Sequence, residues 1–212
     1  MRTNISVRRT ALSAALALFA GIPALGQGVG VVVTDDFANP ATGWTMRAEG
    51  VTTMGYVAGA YRIVFAGRAG FALATSGTIL GDGVAAIDAQ NLPDAGPHAQ
   101  GIVVRAQDAR TLYGFVIASD GAYTAFQVQD GGFVRHSSRG QYLPPGVYRT
   151  GEPNRIEARA AGDTILYSVN GREIFEVRRV LWPTGFAGII ASNAGDQPTG
   201  TIFDNWRVEA AP

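Results

Sequence analysis

From residue 100 to residue 135 the chain reads QGIVVRAQDARTLYGFVIASDGAYTAFQVQDGGFVR. Three apolar runs, rich in β-branched and aromatic residues, occupy 101–106, 112–119 and 122–128. Asp120-Gly121 and Asp130-Gly131 punctuate them. Short apolar runs bounded by such pairs predict strands, because Asp-Gly suits two-residue hairpins whose central residues both need positive φ. The stretch therefore predicts an antiparallel meander, and the rest of the chain must complete its sheet.

The same signals continue on both sides. Strands are expected at 29–37, 44–46, 55–65 in two pieces around Gly59, 71–76 and 84–90. Residues 91–99 hold Pro93, Gly96 and Pro97 and read as a loop into the meander. The segment 136–153 carries Pro144-Pro145-Gly146 and Gly151-Glu152-Pro153 and reads as the longest irregular connection, of a length often tied to function. A second meander follows at 154–160, 164–169 and 173–178, turning at Gly162-Asp163 and Asn170-Gly171. Within it Arg155, Glu157 and Arg159 alternate with Ile156, Ala158 and Ala160, the pattern of a sheet with one wet face. Leu181-Trp182-Pro183 is a loop, and 186–192 and 201–209 are the last strands.

About a dozen strands with turn signals every 8–12 residues imply two packed sheets or a closed barrel. Long connections near Asn91 and Gly146 predict crossings between sheets, which favours a jelly roll. The fold class expected is all-β, a two-sheet antiparallel jelly-roll sandwich.

Residues 1–26 change the domain picture. Arg2, Arg8 and Arg9 precede an apolar run at 11–25, and Ala24-Leu25-Gly26 places small residues before Gln27. That is the pattern of a secretory signal peptide, with Arg8-Arg9 hinting at twin-arginine export, and the run is short for a membrane span. One sandwich domain is expected over 27–212, exported to the periplasm or beyond, with no membrane insertion after cleavage. Its 186 residues suffice for a full core, burying about 70% of the unfolded surface.

All 17 basic residues are Arg. The portion after residue 26 holds 14 of them against 17 acids, a net of −3, which argues against a nucleic-acid partner. The absence of Cys excludes disulfides, thiol catalysis and Cys-ligated metals, so stability rests on packing.

Several segments resemble the concanavalin A-like lectin/glucanase superfamily. They are Gly101-Ile102-Val103-Val104-Arg105, Asp108, Leu112-Tyr113-Gly114-Phe115 and Gly121-Ala122-Tyr123, then Asn154-Arg155-Ile156, the hairpin from Asp163 to Gly171, and Phe203-Asp204-Asn205-Trp206-Arg207-Val208. Among its branches the chain looks most like laminin G-like and keto-disaccharide-hydrolase-like domains. The resemblance implies a curved sandwich whose concave sheet binds sugars, with calcium in some members. Glucanase members place acid and nucleophile on one strand through a Glu-x-Asp-x-Glu type motif, and nothing here matches it. Glu173 and Glu176 are three apart, so a strand would point them to opposite faces. Paired-carboxylate hydrolysis needs two carboxyls roughly 5–9 Å apart across a cleft, which no local spacing supplies.

The candidate ligand-binding residues are Arg105, Asp108, Tyr113, Tyr123, Gln127 and Trp182. Arg105 and Gln127 are polar positions within apolar strands and could grip hydroxyls; Tyr113, Tyr123 and Trp182 could stack on a pyranose. The competing role for them is structural: tyrosines in the core, Arg105 paired with Asp108, and Trp182 plugging the end of the sandwich. Trp44 and Trp206 are assigned to the core. His98 and His136 lack an acid cluster for a metal site, and the adjacency of His136 to Ser137 and Ser138 does not make a triad. No cofactor is expected. Asp35, Asp36 and Asp204 could gather around calcium, or could satisfy turn amides.

These readings converge on a non-catalytic domain that binds carbohydrate or another extracellular polymer. The alternatives are a glycoside hydrolase or lyase acting on a modified disaccharide, and a structural or adhesion domain of the cell envelope.

Overall fold

A computed structural model describes residues 32–93 and 96–211. The expected signal segment 1–26 lies outside the described residues. Fifteen strands appear in order: β1 Val32–Asp35, β2 Thr52–Val57, β3 Ala60–Phe65, β4 Gly70–Ala74, β5 Ile79–Leu80, β6 Gly83–Asn91, β7 His98–Asp108 and β8 Thr111–Ala118. They continue with β9 Tyr123–Gln129, β10 Gly132–Arg135, β11 Asn154–Ala161, β12 Thr164–Val169, β13 Arg172–Arg178, β14 Gly185–Asn193 and β15 Thr199–Ala210. The only helical piece among the described residues is a 3-10 turn at Pro40–Thr42.

The strands form two antiparallel sheets. One has the order β13-β12-β11-β6-β15-β3-β2, with β1 on β15; the other runs β10-β9-β8-β7-β14-β4, with β5 on β14. The chain changes sheet six times, after β3, β5, β6, β10, β13 and β14, and the changes after β6 and β10 fall at the two long connections expected to cross. The fold is the jelly-roll sandwich the turn spacing predicts.

Local turn chemistry explains the hairpins. Asp130-Gly131 and Asn170-Gly171 take φ of 51° and 86°, and of 50° and 79°, as a two-residue type I′ turn requires. Asp120-Gly121 is different: Gly121 takes φ 85° while Asp120 stays at ordinary φ, and four residues separate β8 from β9. The Gly121 amide donates to the Ala118 carbonyl at 2.9 Å, so this is a longer loop closed by a left-handed glycine. Trp44–Met46 is not a strand but part of the connection before β2, and two short strands, β5 and β10, were not expected.

The core lies between the sheets. Ile102, Val104, Tyr113, Phe115, Ile117, Ala125, Ile189 and Ala191 face Ile87, Ile156, Ile165, Tyr167, Phe203 and Val208, all buried. Phe115 stacks on Tyr167 with ring centroids 5.0 Å apart. Trp44 and Trp206 meet edge to face at 5.2 Å within the same core, as assigned.

Candidate functional site

The two outward faces differ in kind. On the eight-stranded sheet β11 presents Arg155, Glu157 and Arg159, while Ile156, Ala158 and Ala160 are buried. Arg155 stands opposite Asp88 of β6 and pairs with it at 3.3 Å. That face is wet, as the alternation predicts.

The seven-stranded sheet is apolar on both faces. Its outward positions alternate with the core residues along each strand: Leu112 and Val116 on β8, Phe126 and Val128 on β9, Val103 on β7, Ile190 on β14 and Leu73 on β4. The register places Leu112 opposite Val128, and Ile190 opposite Leu73. These side chains form a second, smaller apolar cluster behind the sheet.

Over this cluster the sheet forms a hollow of about 420 Å³, lined by residues of all six strands from β10 to β4. Leu112, Val116, Phe126, Val128 and Ile190 make its floor. Phe133 on β10 and Phe71 on β4 stand at its two edges, 58% and 67% exposed. Phe133 stacks on Phe126 with centroids 5.2 Å apart. Arg135 is the one charged side chain among the described residues of the lining; it donates to Thr124 Oγ1 and lies 5.9 Å from the Phe133 ring. Among the described residues no carboxylate lines the hollow.

The residues expected to bind ligand lie elsewhere, and the period of two explains why. Tyr113, Tyr123 and Gln127 occupy the strand positions that alternate with the hollow's floor, so they turn inward and are buried. The Tyr113 hydroxyl accepts from the Leu181 amide at 3.0 Å, and burial pushes this phenol up from its ordinary value. Tyr123 packs on Phe115 at 5.6 Å, and burial raises its pKa as well. Gln127 donates to Gln129 Oε1 at 3.3 Å.

Arg105 is fully buried, with φ 51°. Its guanidinium donates to the Gly162 carbonyl at 2.7 Å, the Trp182 carbonyl at 3.2 Å and Asp82 Oδ1 at 3.0 Å. Asp82 therefore replaces Asp108 as its partner, because the β7–β8 register breaks between Val104 and Asp108. Asp108 instead accepts from the Arg110 amide at 2.7 Å in an exposed turn. Trp182 is half-buried with its ring 5.2 Å from Tyr113, closing one end of the sandwich. The structure thus brings Arg105, Tyr113 and Trp182 together, but inside.

The acids considered for calcium are engaged locally. Asp35 accepts from the Phe37 amide at 2.8 Å and from the Trp44 indole at 2.9 Å. Asp36 accepts from the Ala38 amide and Asp204 from the Asn205 amide. Among the described residues no group of three His, Asp or Glu side chains is placed to hold a metal ion. His98 sits between the Gly96 carbonyl and Asn91, and Ser137 accepts from the Ala125 amide. His136 stacks on Tyr113 at 6.1 Å, and burial pulls its pKa down.

The hollow escaped the sequence reading because its lining carries almost no polar residues. The one signal present was the unbroken apolar character of 101–104 and 112–117, which marks strands buried on both faces.

No family model matches the chain, and no curated protein matches it. Solved structures do. The chain is similar to the carbohydrate-binding module CBM66 from Bacillus subtilis, with TM-score 0.51 and 15% identity over 86% of this chain and 95% of that one. It is similar to a Bacillus licheniformis beta-glucanase, with TM-score 0.59 and 11% identity over 88% and 100%. It is also similar to the catalytic domain of an endo-1,3-beta-glucanase from Thermotoga petrophila, with TM-score 0.57 and 12% identity over 85% and 97%. At these identities the likeness is one of fold, the jelly-roll sandwich shared by binding modules and glycosidases alike.

Proposed function

We propose that the chain is a non-catalytic binding domain, exported by its 1–26 segment, that seats carbohydrate or another extracellular polymer in the hollow of the seven-stranded sheet. One observation carries the reading: a hollow spanning six strands has exposed rings at both edges and no carboxylate in its described lining. Six strands about 4.8 Å apart give a face about 24 Å across, wide enough for an extended chain. Phe71 and Phe133 can stack on sugar faces at its two ends. Among the described residues, hydrolysis by paired carboxylates has no carboxylate to work with there. The fold of CBM66 and the segments resembling laminin G-like and keto-disaccharide-hydrolase-like domains support a ligand of this class.

The test is retention of the purified protein on laminarin and a panel of other polysaccharides, with release of reducing ends measured in parallel. Retention without release is expected, and Phe133→Ala and Phe71→Ala should each weaken it by about tenfold, the loss of one stacked ring. Sustained release that disappears when one carboxylate is changed to Ala would put the hydrolase reading in its place. Failure to bind any glycan would count against the proposal.

A further inference from the structure

The hollow is an odd surface for a plain sugar. A pyranose presents hydroxyls around its rim, and each hydroxyl taken out of water needs a protein partner. Among the described residues, only Thr124 and Ser192 besides Arg135 bring side-chain oxygen or nitrogen to the lining, and Thr124 Oγ1 already accepts from Arg135. The floor offers hydrocarbon alone.

Two further observations specify what would cover it. The strands beneath are apolar on both faces, yet among the described residues only the inner face is covered, by the eight-stranded sheet. Soluble proteins seldom leave a contiguous apolar patch open unless something binds there. The second is charge. Among the described residues Arg135 is the only charged side chain in the lining, and it takes no part in the ion pairs they form. A guanidinium at the rim of an apolar hollow favours a carboxylate or phosphate, which it can meet through two parallel hydrogen bonds. The cavity of about 420 Å³ falls within the range of small-molecule sites, roughly 300–1,000 Å³.

Resting on the reading of the hollow as the binding site, we infer that its ligand is a saccharide carrying a hydrocarbon chain and one anionic group. The chain lies along Leu112, Val116, Phe126 and Ile190, and the anion meets Arg135. The sugar rings then sit toward the open side, where water serves their hydroxyls.

Dodecyl glucuronide, which joins an alkyl chain to a sugar carboxylate, is the probe, used below its micelle concentration against the purified protein. Dodecyl glucoside lacks the charge, hexyl glucuronide shortens the chain and glucuronic acid has none. The expected order is dodecyl glucuronide tightest, with dodecyl glucoside about tenfold weaker and hexyl glucuronide at least a hundredfold weaker, since each buried methylene is worth about fourfold. Arg135→Gln should erase the preference for the charged probe, weakening dodecyl glucuronide by about tenfold and dodecyl glucoside far less. Val116→Arg, an outward position on the floor, should abolish binding of both dodecyl probes, with far-UV circular dichroism reporting that the sheets persist; Val116→Ala should weaken both by about tenfold without abolishing binding.

Binding of laminarin that Val116→Arg blocks, with no gain from chain or charge, would overturn this inference and leave the hollow as a sugar site. Absence of any binding sensitive to Val116→Arg would overturn both readings. A dimer that Val116→Arg splits would also overturn it, by assigning the face to a second copy of the chain.

Discussion

The Phe126 ring lies over Gly114 on the neighbouring strand, so close that a Cβ at position 114 would sit 2.4 Å from the ring's Cζ. The two are register partners on β8 and β9, and the missing side chain lets the ring lie down across the sheet. A ring lying flat becomes floor; a ring standing up would fill the hollow. Gly114→Ala should therefore cost about 1–3 kcal/mol, the range for forcing extra atoms into a packed site. Urea unfolding reads that loss, and ligand affinity should fall with it as Phe126 is displaced outward. An alanine variant as stable as the parent would show that the ring can slide aside.

Arg105 is held by two carbonyls and one carboxylate, and the carboxylate belongs to a residue 54% exposed at its side chain. Removing it leaves a buried guanidinium without a counter-charge. Asp82→Ala is expected to cost about 2–3 kcal/mol, below the 3–5 kcal/mol of a fully enclosed pair because water screens Asp82. Asp108→Ala, at the position first expected to pair with Arg105, should change stability by no more than about 0.5 kcal/mol. Chemical denaturation of the two variants checks the contrast.

His136 gives acid sensitivity a direction. Burial against Tyr113 disfavours its charged form, so its folded pKa lies below the unfolded value of 6.5. As pH falls through the unfolded value, the unfolded chain takes up the proton first, and stability declines until the folded imidazole also protonates. The melting temperature should fall between about pH 7.5 and pH 5, across the ordinary His range. His136→Phe, which keeps a ring on Tyr113, should flatten that fall. An unchanged slope would assign the acid sensitivity to carboxylates instead.

Asp35 ties the first strand to the aromatic core through the Phe37 amide and the Trp44 indole, with Trp44 seated on Phe37, Tyr61 and Trp206. Trp44→Phe keeps a ring but leaves a carboxylate oxygen without its donor, and should cost about 2–3 kcal/mol by denaturation. Since these oxygens are already occupied, EDTA and added calcium should both leave the melting temperature unchanged. A rise of several degrees with calcium would show that the acids near Asp36 and Asp204 rearrange to bind it.

Hairpins were legible because their cause is local. At Asn170-Gly171 and Asp130-Gly131 two adjacent residues set the φ values that reverse the chain, and no distant contact is needed. Asp120-Gly121 shows the limit of that logic: the same dipeptide sits in a longer loop because the Gly121 carbonyl also accepts from the Leu143 amide of the 136–153 connection. The strand β10 was missed because Gly132-Phe133-Val134-Arg135 is short and glycine-led, and its pairing with β9 holds it in place.

What the sequence determined by itself was the class of architecture. Alternation at Arg155, Glu157 and Arg159, unbroken apolar runs at 101–104 and 112–117, and punctuation by turn residues specify the strands and the hairpins between them, since each depends on neighbours along the chain. Only the tertiary structure decided which face of those apolar strands became the core. A period of two says that Tyr113 and Leu112 face opposite ways, but not which of them looks outward. That choice was made when the eight-stranded sheet closed over Tyr113, leaving Leu112, Phe126 and Ile190, residues far apart in the chain, to line the hollow.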